Sequence, residues 1–295
     1  MSMRSEYEAY LQRQENLKEN PMSRYWINQE SRYVHPFKMY GNLYYVGDSW
    51  VCAHIVDTGN GLLLFDAGNC GGGATAMLIQ AIWEMGFRPD DVKWMVLSHG
   101  HVDHIGAVNF FKRMFGTKIY LGAQDAENFR TRPELALVHE STDYMDELFV
   151  PDVEIHDGDI IDFGGTKVLF HEAPGHTDGV IACYFNVTDG KETKRVGYFG
   201  GFGFNTMQKA YLQEIGDAEY SMRDKMMESF KRARAQKVDL FMPNHCINVD
   251  LLNKRQFQVE HPDGPNPFLD SEQWTKYFDE KIAGLKALME DPAQN

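Results

Sequence analysis

Ser98-His99-Gly100-His101-Val102-Asp103-His104 follows directly on the apolar, strand-like run at residues 92–97. Four metal-capable side chains therefore fall within six residues. A strand that ends in alternating histidines followed by Asp-His can direct imidazoles and a carboxylate toward one point. Imidazole suits zinc, and an added carboxylate is more typical of an open catalytic site than of a closed structural one. The alternative, a polar loop that is merely rich in histidine, does not explain the strict alternation.

Composition limits the classes of function. The chain has 295 residues, of which 43% are hydrophobic, so it can bury a sizeable core as one large α/β domain or two smaller ones. Its formal net charge of −14 repels phosphate backbones and anionic membrane surfaces. We therefore expect a small-molecule substrate and neither a nucleic-acid nor a membrane partner. Composition leaves the oligomeric state open.

Cysteine usage and the N-terminus point to a cellular compartment. The four cysteines form no CxxC pair and lie in largely apolar surroundings, which predicts buried free thiols and a reducing environment. Residues 1–20 are polar and charged and contain no apolar segment of a signal peptide or membrane span. The sequence therefore predicts a cytoplasmic protein.

Strands alternate with helices along the chain. Residues 4–19 predict a polar helix within an N-terminal arm (1–35), and residues 36–295 predict one domain that ends in a helix. This alternation predicts an α/β fold in which strands dominate both halves. The predicted strands are 43–46, 51–56, 62–65, 92–97, 167–170, 181–185, 196–199 and 238–242, and the predicted helices of the domain are 74–85, 218–236 and 272–289.

Two further histidines lie in loops just after strand-like runs. His176 is part of a Pro-Gly-His-Thr turn, and His245 ends Pro-Asn-His. Taken singly, each is more often a surface or hydrogen-bonded histidine than a ligand. Because both follow His-x-His-x-Asp-His in order, they become candidate ligands of the same centre.

At this point the chain resembles the metallo-β-lactamase superfamily over nearly its full length. The resemblance rests on Leu-Phe-Asp-Ala-Gly at 64–68, the stretch 98–104, Gly-His-Thr at 175–177, and His245. It implies an αββα sandwich, two mixed β-sheets flanked by helices, with metals held at one edge between the sheets.

Within that superfamily the chain is most similar to the third subclass of metallo-β-lactamases. The similarity lies in the lead-in at 36–47, the Asn-His ending at 244–245, and Asn-Pro-Phe at 266–268. It implies two Zn²⁺ ions, one of which can be weakly held or replaced by another divalent metal, with a water between them. The resemblance assigns one zinc to His99, His101 and His176 and the other to Asp103, His104 and His245.

The ligand set implies hydrolytic chemistry. Three neutral imidazoles and an open position let zinc lower the pKa of water toward neutrality and generate a hydroxide nucleophile. The second metal would bind the substrate carbonyl or the leaving group. Asp103, the catalytic candidate, would both ligate and orient the nucleophile. Asp66 is either an outer acceptor for a ligand imidazole or a strand-end turn residue.

The chain departs from other branches of the superfamily after the fifth strand of the pattern. Glyoxalase II-like, lactonase-like and related enzymes carry an Asp there that bridges both metals, whereas residues 198–203 read Tyr-Phe-Gly-Gly-Phe-Gly. The cysteine ligand of first-subclass lactamases is also absent. His-x-His rather than His-x-Glu at 99–101 disfavours the flavodiiron, oxygen-reducing branch.

The expected substrate pocket also differs from that of third-subclass lactamases. In third-subclass lactamases, hydroxyl groups hold the carboxylate of the β-lactam drug. The equivalent positions here are Val180-Ile181 and Phe202-Gly203, and Asp178 adds negative charge beside the expected metals. Such a pocket favours an apolar or cationic group over a carboxylate. The substrate-contact candidates are Asp178, Phe202 and His54, the last being equally well a satisfied buried histidine. Further pocket candidates, each more often ordinary packing, are Phe204, Tyr211 and residues 137–149 with His139 and Tyr144.

The sequence thus favours a zinc-dependent hydrolase that attacks an amide, lactam, ester or lactone carbonyl and is not a dedicated antibiotic-resistance enzyme. The alternatives are true β-lactamase activity, a non-catalytic metal-binding or sensing protein, and an iron-dependent redox enzyme on the same fold.

Overall fold

The computed structural model describes residues 32–69, 72–137 and 148–294, together with positions 4, 7, 8 and 12. Those four positions are helical. The rest of the predicted helix at 4–19 and the pocket candidates His139 and Tyr144 lie outside the described residues.

The first sheet has seven strands in sequence order. Its first four strands pair antiparallel and its last three pair parallel, so the sheet is mixed. The predicted hairpin at 51–65 forms its β3–β4 pair. The strands are β1 (Phe37–Tyr40), β2 (Leu43–Tyr45), β3 (His54–Asp57), β4 (Leu62–Phe65), β5 (Val92–Val96), β6 (Lys118–Gly122) and β7 (Val153–Ile155).

The second sheet has five strands in the order β12-β11-β10-β9-β8. It is antiparallel except for the β11–β12 pair, which is parallel. The strands are β8 (Ile160–Phe163), β9 (Thr166–Glu172), β10 (Ile181–Thr188), β11 (Thr193–Phe199) and β12 (Leu240–Met242).

Helices cover the outer faces of the sheets. The helix predicted at 218–236 begins three residues later than expected, at Ser221. The carboxylate of Asp217, the predicted N-cap, still accepts hydrogen bonds from the backbone N–H groups of Ser221 and Met222, both at 2.9 Å. No helix among the described ranges is long and apolar enough to cross a membrane. The α-helices are α1 (Gly72–Glu84), α2 (Val108–Phe115), α3 (Ala123–Thr131), α4 (Lys209–Glu214), α5 (Ser221–Arg234), α6 (Leu251–Glu260) and α7 (Gln273–Glu290).

The all-apolar strand β4 explains how the layers hold together. Successive side chains of a strand point to opposite faces. Leu63 and Phe65 therefore enter the core between the sheets, whereas Leu62 and Leu64 enter the core under the helices of the first sheet. Phe65 stacks on Phe185 of β10 with ring centroids 5.2 Å apart. Each such buried side chain contributes about 2 kcal/mol, so β4 anchors two layers at once.

The second sheet is covered in the same way on its outer face. Trp274 of α7 is fully buried against it and donates from Nε1 to the carbonyl of Ala233 in α5 at 2.8 Å. The αββα sandwich with two mixed sheets is thus confirmed. The predicted free thiols are also confirmed for Cys52, Cys183 and Cys246, which are buried and unpaired, while Cys70 lies outside the described residues.

Candidate metal centre

All predicted ligands meet at one edge of the sandwich. Residues 98–104 follow the end of β5, the turn at 174–179 joins β9 to β10, and residues 243–245 follow β12. An isolated antiparallel bridge between Val51 and His245 connects the last of these loops to the first sheet. Loops from both sheets therefore surround one point.

Three imidazoles form the first group of donors. His101 Nδ1 lies 3.1 Å from His99 Nε2 and 3.0 Å from His176 Nε2. Tetrahedral zinc at about 2.0–2.1 Å from each nitrogen requires nitrogens about 3.3 Å apart. These atoms are already at nearly that spacing, so His99, His101 and His176 fit one metal ion.

The second group combines two imidazoles and a carboxylate. His104 Nε2 lies 3.2 Å from His245 Nε2, and Asp103 Oδ2 lies 3.3 Å and 3.5 Å from these two nitrogens. His99 also shares a possible ligand cluster with Asp103 and His104, because one donor atom of each falls within 4.8 Å of the others. The two groups are therefore contiguous and fit a binuclear site.

The protonation states of the first group suit a cation. Burial lowers the pKa of His99 and His101 well below the usual histidine value and that of His176 to about 4. These imidazoles are neutral at pH 7, which leaves their lone pairs available. Neutral nitrogens facing one another at 3.0–3.1 Å are poorly satisfied unless a cation or shared protons lie between them.

The second group carries the negative charge of the centre. Burial alone would raise the pKa of Asp103, but His104 and His245 hold it well below its usual range. Burial would likewise lower the pKa of His104, but the Asp103 and Asp66 carboxylates raise it to about 10. A protonated His104 thus offsets part of the negative charge of these two carboxylates, a role that a bound cation would take over.

Asp66 holds the ring of His104, and its contacts show which of its two predicted roles it has. It accepts hydrogen bonds from His104 Nδ1 at 2.7 Å, the Ser98 backbone N–H at 2.7 Å and the Tyr198 hydroxyl at 2.5 Å. Its φ of 58° lies in the left-handed region, a strain that these contacts stabilise. Asp66 is therefore both the strand-end turn residue and the outer acceptor that fixes the His104 ring.

Backbone carbonyls orient two of the other imidazoles. His176 Nδ1 lies 3.1 Å from the Gly203 carbonyl, and His245 Nδ1 lies 3.2 Å from that of Trp50. Such contacts fix the tautomer and turn Nε2 toward the metal position. His101 differs, because its buried Nε2 has no hydrogen-bond partner.

Known proteins resemble this chain in sequence. Residues 51–189 match the family model of the metallo-beta-lactamase superfamily. Over residues 51–189 the chain is thus similar in sequence to metallo-β-lactamase domains. In sequence it is 31% identical, over 135 residues, to hydroxyacylglutathione hydrolase GloC of Haemophilus influenzae. That match covers 45% of this chain and 61% of GloC. The chain spans less than two thirds of the length of the first curated relatives that it matches.

Solved structures extend the likeness to nearly the whole domain. The metallo-beta-lactamase FEZ-1 of Legionella gormanii superposes with a TM-score of 0.77 at 24% identity, covering 88% of this chain and 96% of FEZ-1. BJP-1, a subclass B3 metallo-beta-lactamase of Bradyrhizobium japonicum, superposes with a TM-score of 0.71 at 26% identity, covering 90% of this chain and 99% of BJP-1. The likeness in fold points to the third subclass. GloC is instead a hydroxyacylglutathione hydrolase, an enzyme of the glyoxalase II-like branch. The lack of an acidic residue at 198–203 disfavours that branch for this chain.

Asp125, at the start of α3, is a site residue of this domain that the sequence pattern did not indicate. Its carboxylate accepts hydrogen bonds from Gly100 N at 2.7 Å, Thr177 Oγ1 at 2.7 Å and Gly179 N at 3.0 Å. It thereby ties the loop of His101 to the turn of His176. Burial raises the pKa of Asp125 to about 6 despite these donors, so the chain keeps a costly buried carboxyl group at this position.

The absence of an acidic residue at positions 198–203 is consistent with the close packing there. A Cβ atom on Gly201 would lie 2.7 Å from His176 Cβ, and one on Gly203 would lie 2.8 Å from His176 Cε1. Both glycines allow the backbone after β11 to pack directly on the His176 ring. An aspartate at Gly201 would overlap with a metal ligand in this arrangement.

Two of the three predicted substrate contacts are placed elsewhere. His54 is fully buried, with Nε2 2.7 Å from the Pro243 carbonyl and Nδ1 without a hydrogen-bond partner among the described residues, so it is a core histidine and not an accessible substrate contact. Phe202 is 4% exposed and packs edge-on against Tyr277 with centroids 4.9 Å apart. Val180 and Ile181 are fully buried as well and do not line a pocket. Asp178 remains at the surface beside His176.

Proposed function

We propose that this chain is a metal-dependent hydrolase that holds two zinc ions and attacks an amide, lactam, ester or lactone carbonyl. The observation that carries the proposal is the convergence of two contiguous donor groups, His99/His101/His176 and Asp103/His104/His245, at one edge of the sandwich. Metals bound there would lower the pKa of water and polarise a carbonyl oxygen.

The chain's own residues have distinct roles in this proposal. Asp103 is ionised and 19% of its side chain is exposed, so it can ligate a metal and orient the attacking water by accepting a hydrogen bond from it. Asp66 keeps His104 oriented through its 2.7 Å contact with Nδ1. Asp125 sets the distance between the loops of His101 and His176. The substrate therefore meets a preorganised centre.

A small-molecule substrate and a cytoplasmic location complete the proposal. The net charge of −14 opposes binding to nucleic acid or to an anionic membrane. True β-lactamase activity is the second candidate, favoured by the likeness in fold to BJP-1. A metal-binding protein without turnover is the third.

Metal analysis and a substrate panel test the proposal together. We expect about two zinc ions per chain and hydrolysis of at least one member of a panel of β-lactams, lactones, N-acyl amino acids, thioesters and phosphodiesters. His101→Ala should lose about one metal and at least about a hundredfold in rate. His156→Ala, at an exposed histidine, is the matched control and should change neither.

The outcomes separate the candidates. Hydrolysis that survives complete removal of metal would overturn the metal-dependent mechanism. Stoichiometric metal binding with no turnover on any panel member would favour the non-catalytic candidate. Preference for β-lactams over all other members would favour the second candidate.

A further inference from the structure

A pocket opens beside His176, and none of Asp103, His104 and His245 lines it. Its apolar wall is built from α3, α4 and the segments that follow them, and includes Phe129, Leu135, Tyr211 and Met222. His176 and Gly100, the residue between His99 and His101, form part of the lining, so the pocket borders the loops of the first donor group. Apart from Tyr211, none of these wall residues was indicated by the sequence.

The polar part of the lining carries negative charge. Asp125 and Asp178 both line the pocket, and no lysine or arginine does among the described residues. The oxygens of Asp125 already accept from Gly100, Thr177 and Gly179, so this carboxylate acts through its field and not through contact. Asp178 is 30% exposed and has only a long ion pair, 3.4 Å, with Lys225.

The pKa of the Tyr211 phenol indicates that the charges around this pocket are negative on balance. Burial, together with the charges of Asp125, Asp178 and Glu214, raises the pKa of Tyr211 to about 12, while Arg132 opposes the shift. The carboxylates therefore outweigh the one nearby guanidinium. An anionic group in this pocket would lose part of its hydration and meet no lysine or arginine among the described lining residues.

We propose that this pocket receives the acyl side group of the substrate, accepts an uncharged apolar group there and rejects a carboxylate. The inference rests on the proposed hydrolase function and specifies the substrate class for it. Phe129, Tyr211 and Met222 supply apolar contact, and Asp178 supplies the discrimination. Substrates that place a carboxylate on the acyl side are excluded.

Three esters of equal length test the charge preference. The 4-nitrophenyl esters of hexanoic acid, 6-aminohexanoic acid and adipic acid present a neutral, a cationic and an anionic end. A unit charge about 8 Å away in a partly solvated pocket changes binding about fivefold, so the zinc-loaded protein should show kcat/KM for the adipate ester at least about fivefold below the other two.

Two variants locate the effect. Asp178→Asn keeps the shape of the side chain and should raise kcat/KM of the adipate ester about threefold relative to the hexanoate ester. Tyr211→Ala should raise KM for the hexanoate ester about tenfold with little change in kcat, because apolar contact is lost. Asp162→Asn, near the end of β8 at the opposite end of the sheets, is the control and should leave the ratios unchanged.

Binding of uncleaved analogues distinguishes failure of the pocket from failure of the hydrolase. Calorimetric titration with hexanamide, 6-aminohexanamide and adipamic acid requires no turnover. If no ester is cleaved, the hydrolase proposal fails for esters, and the order of amide binding still decides the pocket. Equal or tighter binding of adipamic acid, no binding of any amide, or an unchanged order in Asp178→Asn would overturn the inference.

Discussion

Replacing Asp125 by asparagine should weaken metal binding at His99, His101 and His176 while leaving the metal-free fold nearly as stable as before. Asp125 touches no ligand side chain. It accepts hydrogen bonds from Gly100 and Thr177, the neighbours of His101 and His176, at 2.7 Å each. The substitution therefore tests whether a residue that joins two ligand loops contributes to the affinity of the metal centre.

Two contributions to metal affinity are lost. A carboxylate about 8 Å from a dication, at an effective dielectric constant of about 40, stabilises it by about 2 kcal/mol, or about thirtyfold in affinity. The asparagine also has one acceptor oxygen instead of two, so Gly179 N–H or Gly100 N–H faces an amide NH₂ group. Loss of an outer acceptor commonly costs about 10–100-fold in metal affinity. We therefore expect a loss of at least about tenfold.

The stability of the metal-free protein responds differently. A buried donor that loses its acceptor costs about 1–3 kcal/mol. Against this, the folded-state pKa of Asp125, about 6, exceeds the ordinary value of 3.8, so its ionisation at pH 7 destabilises the fold by about 3 kcal/mol. Asparagine removes that cost. The two changes nearly offset each other, which separates a positioning role from a merely structural one.

The same pKa shift gives the sign of a pH effect. The folded protein retains a proton on Asp125 that the unfolded chain has lost between about pH 4 and pH 6. This contribution to stability is fully present below about pH 4 and is lost as the pH rises through about 6. Asp125→Asn should remove that contribution to the slope, as urea unfolding of the metal-free protein across this range would show.

Cobalt titration followed by absorption spectroscopy measures the affinity directly. The control is Asp239→Asn, because Asp239 also accepts a backbone hydrogen bond, from Arg195 N at 2.8 Å, but at the opposite end of the sheets. The control should bind cobalt like the wild type. The reasoning is refuted if Asp125→Asn binds cobalt as tightly as Asp239→Asn, or if it loses stability without any change in affinity or spectrum.

Three further variants test other parts of the centre. Asp66→Asn removes the acceptor of His104 and should weaken the second metal about 10–100-fold by competition with a chromogenic chelator, whereas unchanged affinity would contradict the orienting role. Burial lowers the pKa of His54 to about 4, so the free energy of unfolding should rise by about 3 kcal/mol as the pH rises from about 4 to 6.5. His54→Gln should reduce this pH dependence, measured as the midpoint of urea unfolding across that range. Gly201→Ala places a Cβ atom 2.7 Å from that of His176 and should cost about 1–3 kcal/mol in thermal unfolding and reduce metal content, while a wild-type melt would argue against close packing.

The ligands could be predicted from sequence because they follow strand ends. His99 to His104 directly follow an apolar strand, and His176 and His245 repeat that context, so strand order alone brings them to one edge. The alternation of strands and helices predicted an α/β fold, and runs such as residues 62–65 have no polar face and must be buried on both sides. The sandwich of two sheets was implied only by the resemblance to the metallo-β-lactamase superfamily.

The surroundings of the ligands depend on tertiary packing and could not be predicted in the same way. Asp125 lies on a helix 21 residues after His104, and no spacing indicates that it meets the turn of Thr177. The one available signal was its position just after β6, the parallel neighbour of β5. Phe202 follows a strand like the ligands do, but its ring turns into the aromatic core, where it lies 5.4 Å from Phe278.

The division of the candidate ligands between the two sheets has a consequence for the stability of the protein in the cell. His99, His101, Asp103 and His104 come from loops of the first sheet, whereas His176 and His245 come from loops of the second. Neither half of the chain can supply all six candidate ligands alone, so in the proposed site a metal would bind the assembled sandwich more tightly than the unfolded chain. A bound metal ion would thereby link the two sheets. Under zinc starvation we expect newly made chains to be degraded sooner, so metal supply would govern the amount of protein as well as its activity.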